Sequence, residues 1–279
     1  MTPGHLQPCT RLDLAAREAL FAGAVLRFSD NSEVNALIDA IRVDIAAAMA
    51  PHKPLEACRD IAADELHERT QALFHRAARE PLWNDLLDQV LVALGCDPVT
   101  THRDRLRLRI QSSDDPHDRA ALMTLDPHRD SWGSNVQAQV NWWAPIFDID
   151  VGRTIAMWPD LFDRPVANTS AAWDYDALIA SRKNGQTDYP VVPVVTEPQT
   201  LREPVPVVIA PGEILAFSGA HLHASVPNQT GLMRYSIEVR TVDLGDMETG
   251  RGAPNVDAAA PRQPLHWFRR ISDGKNLSN

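Results

Sequence analysis

The chain has 279 residues, of which 44% are hydrophobic and 23% charged, and its formal net charge is −10. Those values suit one large globular domain or at most two small ones, and they argue against disorder as the dominant state. The nearest approach to a membrane-spanning run, residues 19–28, is half the ~20 residues required and is broken by Arg27. An acidic chain disfavours nonspecific contact with nucleic acid or anionic membrane, so neither is expected as a partner.

The first residues carry Asp13 and Glu18 where a secretory leader would be basic. Cys9, Cys58 and Cys96 match no zinc or redox spacing and read as reduced thiols. A cytoplasmic protein is expected on both grounds. Ten histidines, and six of seven tryptophans at or beyond residue 132, direct attention to the second half.

Residues 32–95 carry helical periodicity. Ile38, Ile41, Ile45 and Met49 form one apolar stripe and Ala77–Leu94 supplies another, with Pro81 placed to start a helix. After Asp97-Pro98 the period changes to two. Leu106, Leu108 and Ile110 alternate with Arg105, Arg107 and Arg109, which predicts a half-exposed strand with solvated arginines. Further strands are predicted over 136–144, 153–158, 205–209, 213–218 and 234–242, with turns at Pro211-Gly212 and Asn228–Gly231. Segment 159–204 reads as a long insertion with a short helix near Trp173–Ser181, the kind of loop that serves as a lid or binding loop. The tail from 244 to 279 reads as loop except around Leu265–Ile271. Helices first and strands after predict an α+β fold, with helices buttressing an antiparallel barrel or sandwich.

The sharpest chemical signal is Pro127-His128-Arg129-Asp130-Ser131-Trp132-Gly133. On extended backbone the imidazole and carboxylate of His-x-Asp leave the same face and can bind one metal ion. One more imidazole would complete a 2-His-1-carboxylate triad with open coordination positions. The tripeptide alone is weak, since His102-Arg103-Asp104 repeats it; there a structural role is expected, with Asp104 paired to a neighbouring arginine. Downstream, residues 211–240 deliver His221 and His223 on a strand after a Pro-Gly turn, then Arg234 and Ser236 on one face of the next strand. An arginine fork beside a hydroxyl suits the far carboxylate of a dicarboxylic acid. Arg240 shares that face, ~20 Å further along, and is expected in a surface or structural salt bridge. In the 136–144 strand, Gln137, Gln139, Asn141 and Trp143 share one face, which reads equally as turned to water or as a cavity lining. Trp132 and Trp158 are candidates for the pocket wall, and Arg129 should point away from the metal.

The order His-x-Asp, Gly-Glu-x-x-x-Phe, His-x-Ser-x-Pro-Asn and Arg-x-Ser, over about residues 122–242, resembles the Fe(II)/2-oxoglutarate-dependent oxygenases, nearest the phytanoyl-CoA dioxygenase-like group. The resemblance implies a single oxygenase domain over 1–279: a helical buttress to about 100, a double-stranded β-helix (jelly-roll, cupin-like) core over about 101–243 with the 159–204 insertion, and the 244–279 tail. It implies iron held by His128, Asp130 and His223. It further implies 2-oxoglutarate held at its C5 carboxylate by Arg234 and Ser236, with Asn141, Trp143 and Gln139 near the cosubstrate. The His-Ala-Ser-Val-Pro-Asn context favours His223 over His221 as ligand. The implied activity is hydroxylation of a small molecule with O2, releasing succinate and CO2. Asp130 stands where related halogenases carry Gly or Ala, which points to hydroxylation, desaturation or cyclisation. The alternative is a non-redox cupin-type isomerase or hydrolase on the same three ligands, which would have no use for a dicarboxylate clamp.

Overall fold

In a computed structural model of the chain, residues 6–113, 125–185 and 189–277 are described. The chain opens with strand β1 (Gln7–Pro8), helix α1 (Leu14–Phe21) and strand β2 (Leu26–Phe28). Sequence periodicity gives none of these, because two- and three-residue strands are too short to show a period. Helices α2 (Ser32–Met49), α3 (Ala57–Asp60), α4 (Ala63–Ala77) and α5 (Pro81–Ala93) follow. Asn31 caps α2 by accepting from the Val34 amide at 2.9 Å, and Pro81 occupies the first turn of α5 as expected. The stripe of Ile38, Ile41, Ile45 and Met49 is buried, as its spacing requires.

The remaining elements are β3 (Thr101–Arg103), β4 (Arg107–Gln111), α6 (Ser131–Ser134), β5 (Val140–Pro145), β6 (Ile155–Met157), α7 (Tyr175–Lys183), β7 (Val205–Val207), β8 (Ile214–Ser218), β9 (His223–Ser225), β10 (Arg234–Asp243), α8 (Leu244–Glu248) and β11 (Arg269–Arg270). They form a mixed α/β architecture. A large sheet runs β1-β2-β8-β5-β10-β3-β11, with β4 also paired to β10, and is antiparallel except for β1 beside β2. A smaller antiparallel sheet runs β7-β6-β9. The helices pack on the apolar face of the large sheet, around Leu108, Ile110, Trp142, Tyr235, Ile237 and Val239. Its opposite face meets the small sheet through Trp143, Leu215 and Phe217 against Ile155, Met157 and Val207. The site lies in this second interface.

Three expectations change. The arginines of β4 are not solvated: the Arg107 and Arg109 side chains are 14% and 13% exposed and turn to the sheet's inner, polar face. Residues 136–139 are not strand, because a turn closed by the Gln139 amide on Val136 O precedes β5. In addition, the tail docks there, with the Ala253 amide donating to Gln137 O. Finally, β8 stops at Ser218, so His221 sits in a turn and only His223 is on a strand. The expected insertion helix is α7. Among the described residues no helix is long and apolar enough to cross a membrane, and all three cysteines are free thiols.

Candidate active site

His128 reaches the site by backbone pairing. Its amide donates to His223 O and the His223 amide donates to His128 O, both at 3.0 Å, so the segment lies beside β9 like an added strand. The two imidazole centroids are consequently 4.4 Å apart. Nδ1 of His128 lies 2.7 Å from Asp126 O, and Nδ1 of His223 lies 3.0 Å from His221 O. A carbonyl only accepts, so each ring carries a proton on Nδ1, which leaves Nε2 as the nitrogen available to a metal. Burial, reinforced by His223, pushes the His128 pKa down to about 3, which keeps that ring neutral.

Asp130 opens α6, with Oδ1 3.9 Å from His128 Nε2. Its Oδ1 accepts from Arg240 Nη2 at 2.6 Å and its Oδ2 from Asn141 Nδ2 at 2.5 Å. Burial alone would raise the Asp130 pKa, but Arg240, His223 and His128 outweigh it and hold the carboxyl below its ordinary value. Among the described residues no three His, Cys, Asp or Glu side chains are already drawn up around a point where a metal ion would sit. The reason is visible in Asp130, whose oxygens are bound to Arg240 and Asn141. The donor chemistry still fits a divalent ion: two open imidazole nitrogens, one ionised carboxylate, and an amide that orients that carboxylate.

Arg234 begins β10 at 2% exposure. Its Nη1 donates to Thr154 O at 2.7 Å and Nη2 to Ser225 Oγ at 3.5 Å, while the buried Nε has no partner. No carboxylate forms an ion pair with it among the described residues. Burial, and then repulsion from Arg109, lowers its pKa to about 10, the mark of a cation short of an anion. Ser236, paired in register with Arg109, is fully buried and its hydroxyl is likewise without a partner. A carboxylate bound here would satisfy both orphaned groups.

Asn141, Trp143, Arg234, His128, Asp130 and His223 all line one inner cavity between the sheets. The face of β5 that the sequence left open is thus the inner one. Gln139 stands one step back, donating to Asn141 Oδ1 at 2.7 Å. His221 is engaged through both ring nitrogens, by Ser218 O and Gly23 O at 3.1 Å each, so it packs behind the cavity. Arg129 points away from the pair it separates: its guanidinium contacts Asp257 of the tail and four backbone carbonyls. Trp132 donates to Asp257 and Trp158 to Arg202 O, and both pack in a separate apolar cluster. As expected, Asp104 is structural, paired with Arg107 at 2.6 Å.

No family model matches the sequence, and no curated protein matches it. Structural neighbours include non-heme alpha-ketoglutarate-dependent enzymes. The epimerase SnoN, solved with Fe3+, alpha-ketoglutarate and nogalamycin RO, is 13% identical with a TM-score of 0.43, covering 96% of this chain and 97% of that one. The carbocyclase SnoK from nogalamycin biosynthesis is 11% identical with a TM-score of 0.44, covering 96% and 94%. EvdMO1 is 14% identical with a TM-score of 0.42; the match covers 82% of this chain but only half the length of EvdMO1. Likeness at this level carries no inference about activity, which rests on the cavity itself.

Sequence reasoning missed Arg109, Glu238 and Phe217 as cavity residues, and missed the partner of Arg240. Arg109 pairs with Glu238 at 2.5 Å across β4 and β10. The signal was present as charges at two-residue spacing on both strands, but such a face reads identically whether it meets water or a cavity.

Proposed function

We propose that this protein is an Fe(II)- and 2-oxoglutarate-dependent oxygenase acting on a small molecule, with His128, Asp130 and His223 as the iron ligands. The observation that carries the reading is Arg234: a buried guanidinium without an anion, opening on the same cavity as two imidazoles and an ionised carboxylate. An unpaired buried cation is costly, so its retention calls for an anionic ligand. Arg234 and Ser236 would hold the C5 carboxylate of 2-oxoglutarate, and Trp143 and Asn141 would wall the cosubstrate. A non-redox isomerase or hydrolase on the same ligands would leave this cation unexplained.

Iron(II) with 2-oxoglutarate and O2 supplies the oxidative chemistry, releasing succinate and CO2 and hydroxylating a substrate C–H bond. The chain's own residues do the positioning. Backbone carbonyls fix both histidine tautomers, Asn141 orients Asp130, and Trp143 and Phe217 keep the cavity wall apolar. With Arg240 on Asp130 and Arg109 on Glu238, the free cavity is about 30 Å³, room for about one water molecule. A metal ion held through Asp130 Oδ1 would take the place of Arg240 Nη2 on that oxygen. The test is conversion of 2-oxoglutarate to succinate by purified protein with iron, ascorbate and O2 across a broad small-molecule panel. Turnover is expected, with at least one panel member raising it; absence of succinate throughout would refute the reading.

A further inference from the structure

The inner cavity is not the only hollow at this site. Outside it lies a cleft of about 1240 Å³, sharing Arg109, Leu125, Asp130 and Arg240 with the inner cavity. This exceeds what a drug-sized ligand fills. Its walls come from α4, from the segment leading into β4, from α7 and from the C-terminal tail. Five aromatic rings line it: Phe74, Trp173, Tyr175, Tyr189 and Trp267. Two of the chain's three tyrosines are among them. Tyr175 packs edge-on against Trp267 with centroids 4.4 Å apart and lies 6.4 Å from Trp173, so the three rings form one aromatic cluster.

The cleft's charge opposes that of the whole molecule. Most of its arginines are spent internally: Arg107 on Asp104, Arg109 on Glu238, Arg129 on Asp257 and Arg240 on Asp130. Arg105 and Arg269 are exposed, and neither forms an ion pair among the described residues. Two polar atoms of residues on the same walls also lack partners, the buried Trp267 Nε1 and the buried His67 Nδ1. Arg105 stands four residues before Arg109, ~13 Å along extended backbone, so this free cation lies well out from the inner cavity.

We propose that this cleft is the substrate site and that it takes an aromatic small molecule carrying an oxyanion, a carboxylate or a phosphate. The ring system packs against the Tyr175–Trp267 pair, stacking on one ring and meeting the edge of the other, where area burial favours a flat body. The oxyanion meets Arg105 and Arg269. The other end of the molecule then reaches the shared opening at Asp130 and Arg240. This assignment of substrate class rests on the oxygenase reading for its chemistry, but its recognition step can be measured without iron.

Calorimetric titration of the full chain with 2-naphthoate, 2-naphthyl phosphate, 2-naphthol and octanoate separates the terms. At least one naphthyl anion should bind about tenfold or more tighter than both the neutral ring and the ring-free anion, and the better of the two identifies the oxyanion. Arg105→Gln combined with Arg269→Gln should bring that anion down to the affinity of naphthol, while Arg105→Lys with Arg269→Lys keeps most of it. Trp267→Leu should remove the preference for naphthoate over octanoate. Both arginines are exposed, so unchanged thermal melting is expected in the charge variants and confirms that they fold. Equal affinity for naphthol and the anions, or no binding by any probe, overturns the proposal. If naphthyl anions bind as described but iron and 2-oxoglutarate never form a complex, the oxygenase reading falls and the cleft stands as a ligand site.

Discussion

Asp257 shows how one carboxylate in the tail fixes the wall behind His128 and Asp130. It accepts from Arg129 Nε at 3.1 Å, Trp132 Nε1 at 2.7 Å and the Val166 amide at 3.0 Å. Asp257→Ala would strand a buried guanidinium that is 1% exposed. A loss of about 3–5 kcal/mol in unfolding free energy is expected by urea denaturation, with Asp257→Asn losing less because it still accepts. The sequence could indicate that Arg129 leaves the metal face, since alternation on extended backbone requires it. It could not supply Asp257, 128 residues away, because that pairing depends on how the tail folds back. The proposed iron ligands could be picked out for the opposite reason: His-x-Asp is local, and His223 sits in a motif of its own. Arg240 was not, because strand spacing gave its distance from Arg234 but not that Asp130 waits at the far end.

At the scale of elements, β10 organises the site. Its even-numbered residues, Arg234, Ser236, Glu238 and Arg240, face the inner layer while Tyr235, Ile237 and Val239 pack under the helices. Burial alone would raise the Glu238 pKa, but Arg109 and then Arg107 reverse that and hold it well below the ordinary carboxylate range. A depressed folded-state pKa stabilises the protein above the unfolded value of ~4.3 and that stability is lost as pH falls through the folded one. Wild type should therefore lose stability below about pH 4, and Glu238→Gln should show a shallower acid slope by denaturant titration at several pH values. On the helical side, Ile45 of α2 is fully buried, so Ile45→Ala should cost about 2–5 kcal/mol and lower the melting temperature. Helices α2 and α5 were readable because their apolar stripes are long. The polar strand faces were readable as faces, but not as inner ones: Arg107, Arg109 and Asn141 would look the same beside water.

Across the whole molecule, the three layers are sewn together by segments that carry no periodic signal. Gly23, in the turn between α1 and β2, is tied to the loop before β9 by His221 Nε2, 198 residues apart in sequence. The tail packs behind the site through Asp257 and against the turn before β5 through Ala253. Burial pushes the Cys96 thiol up to about 12, so thiol reagents should label it only on global unfolding, with the half-buried Cys9 and Cys58 reacting earlier. The central claim is that one cavity holds iron through His128, Asp130 and His223 and 2-oxoglutarate through Arg234. Anaerobic titration with Fe(II) and 2-oxoglutarate, followed by visible absorption, tests it most directly. Wild type should develop a charge-transfer band that Asp130→Ala lacks. Arg234→Leu should keep iron affinity but weaken 2-oxoglutarate about 30-fold or more, the equivalent of removing one member of a buried charge pair. Unchanged 2-oxoglutarate affinity in Arg234→Leu, or no band in the wild type, would contradict it.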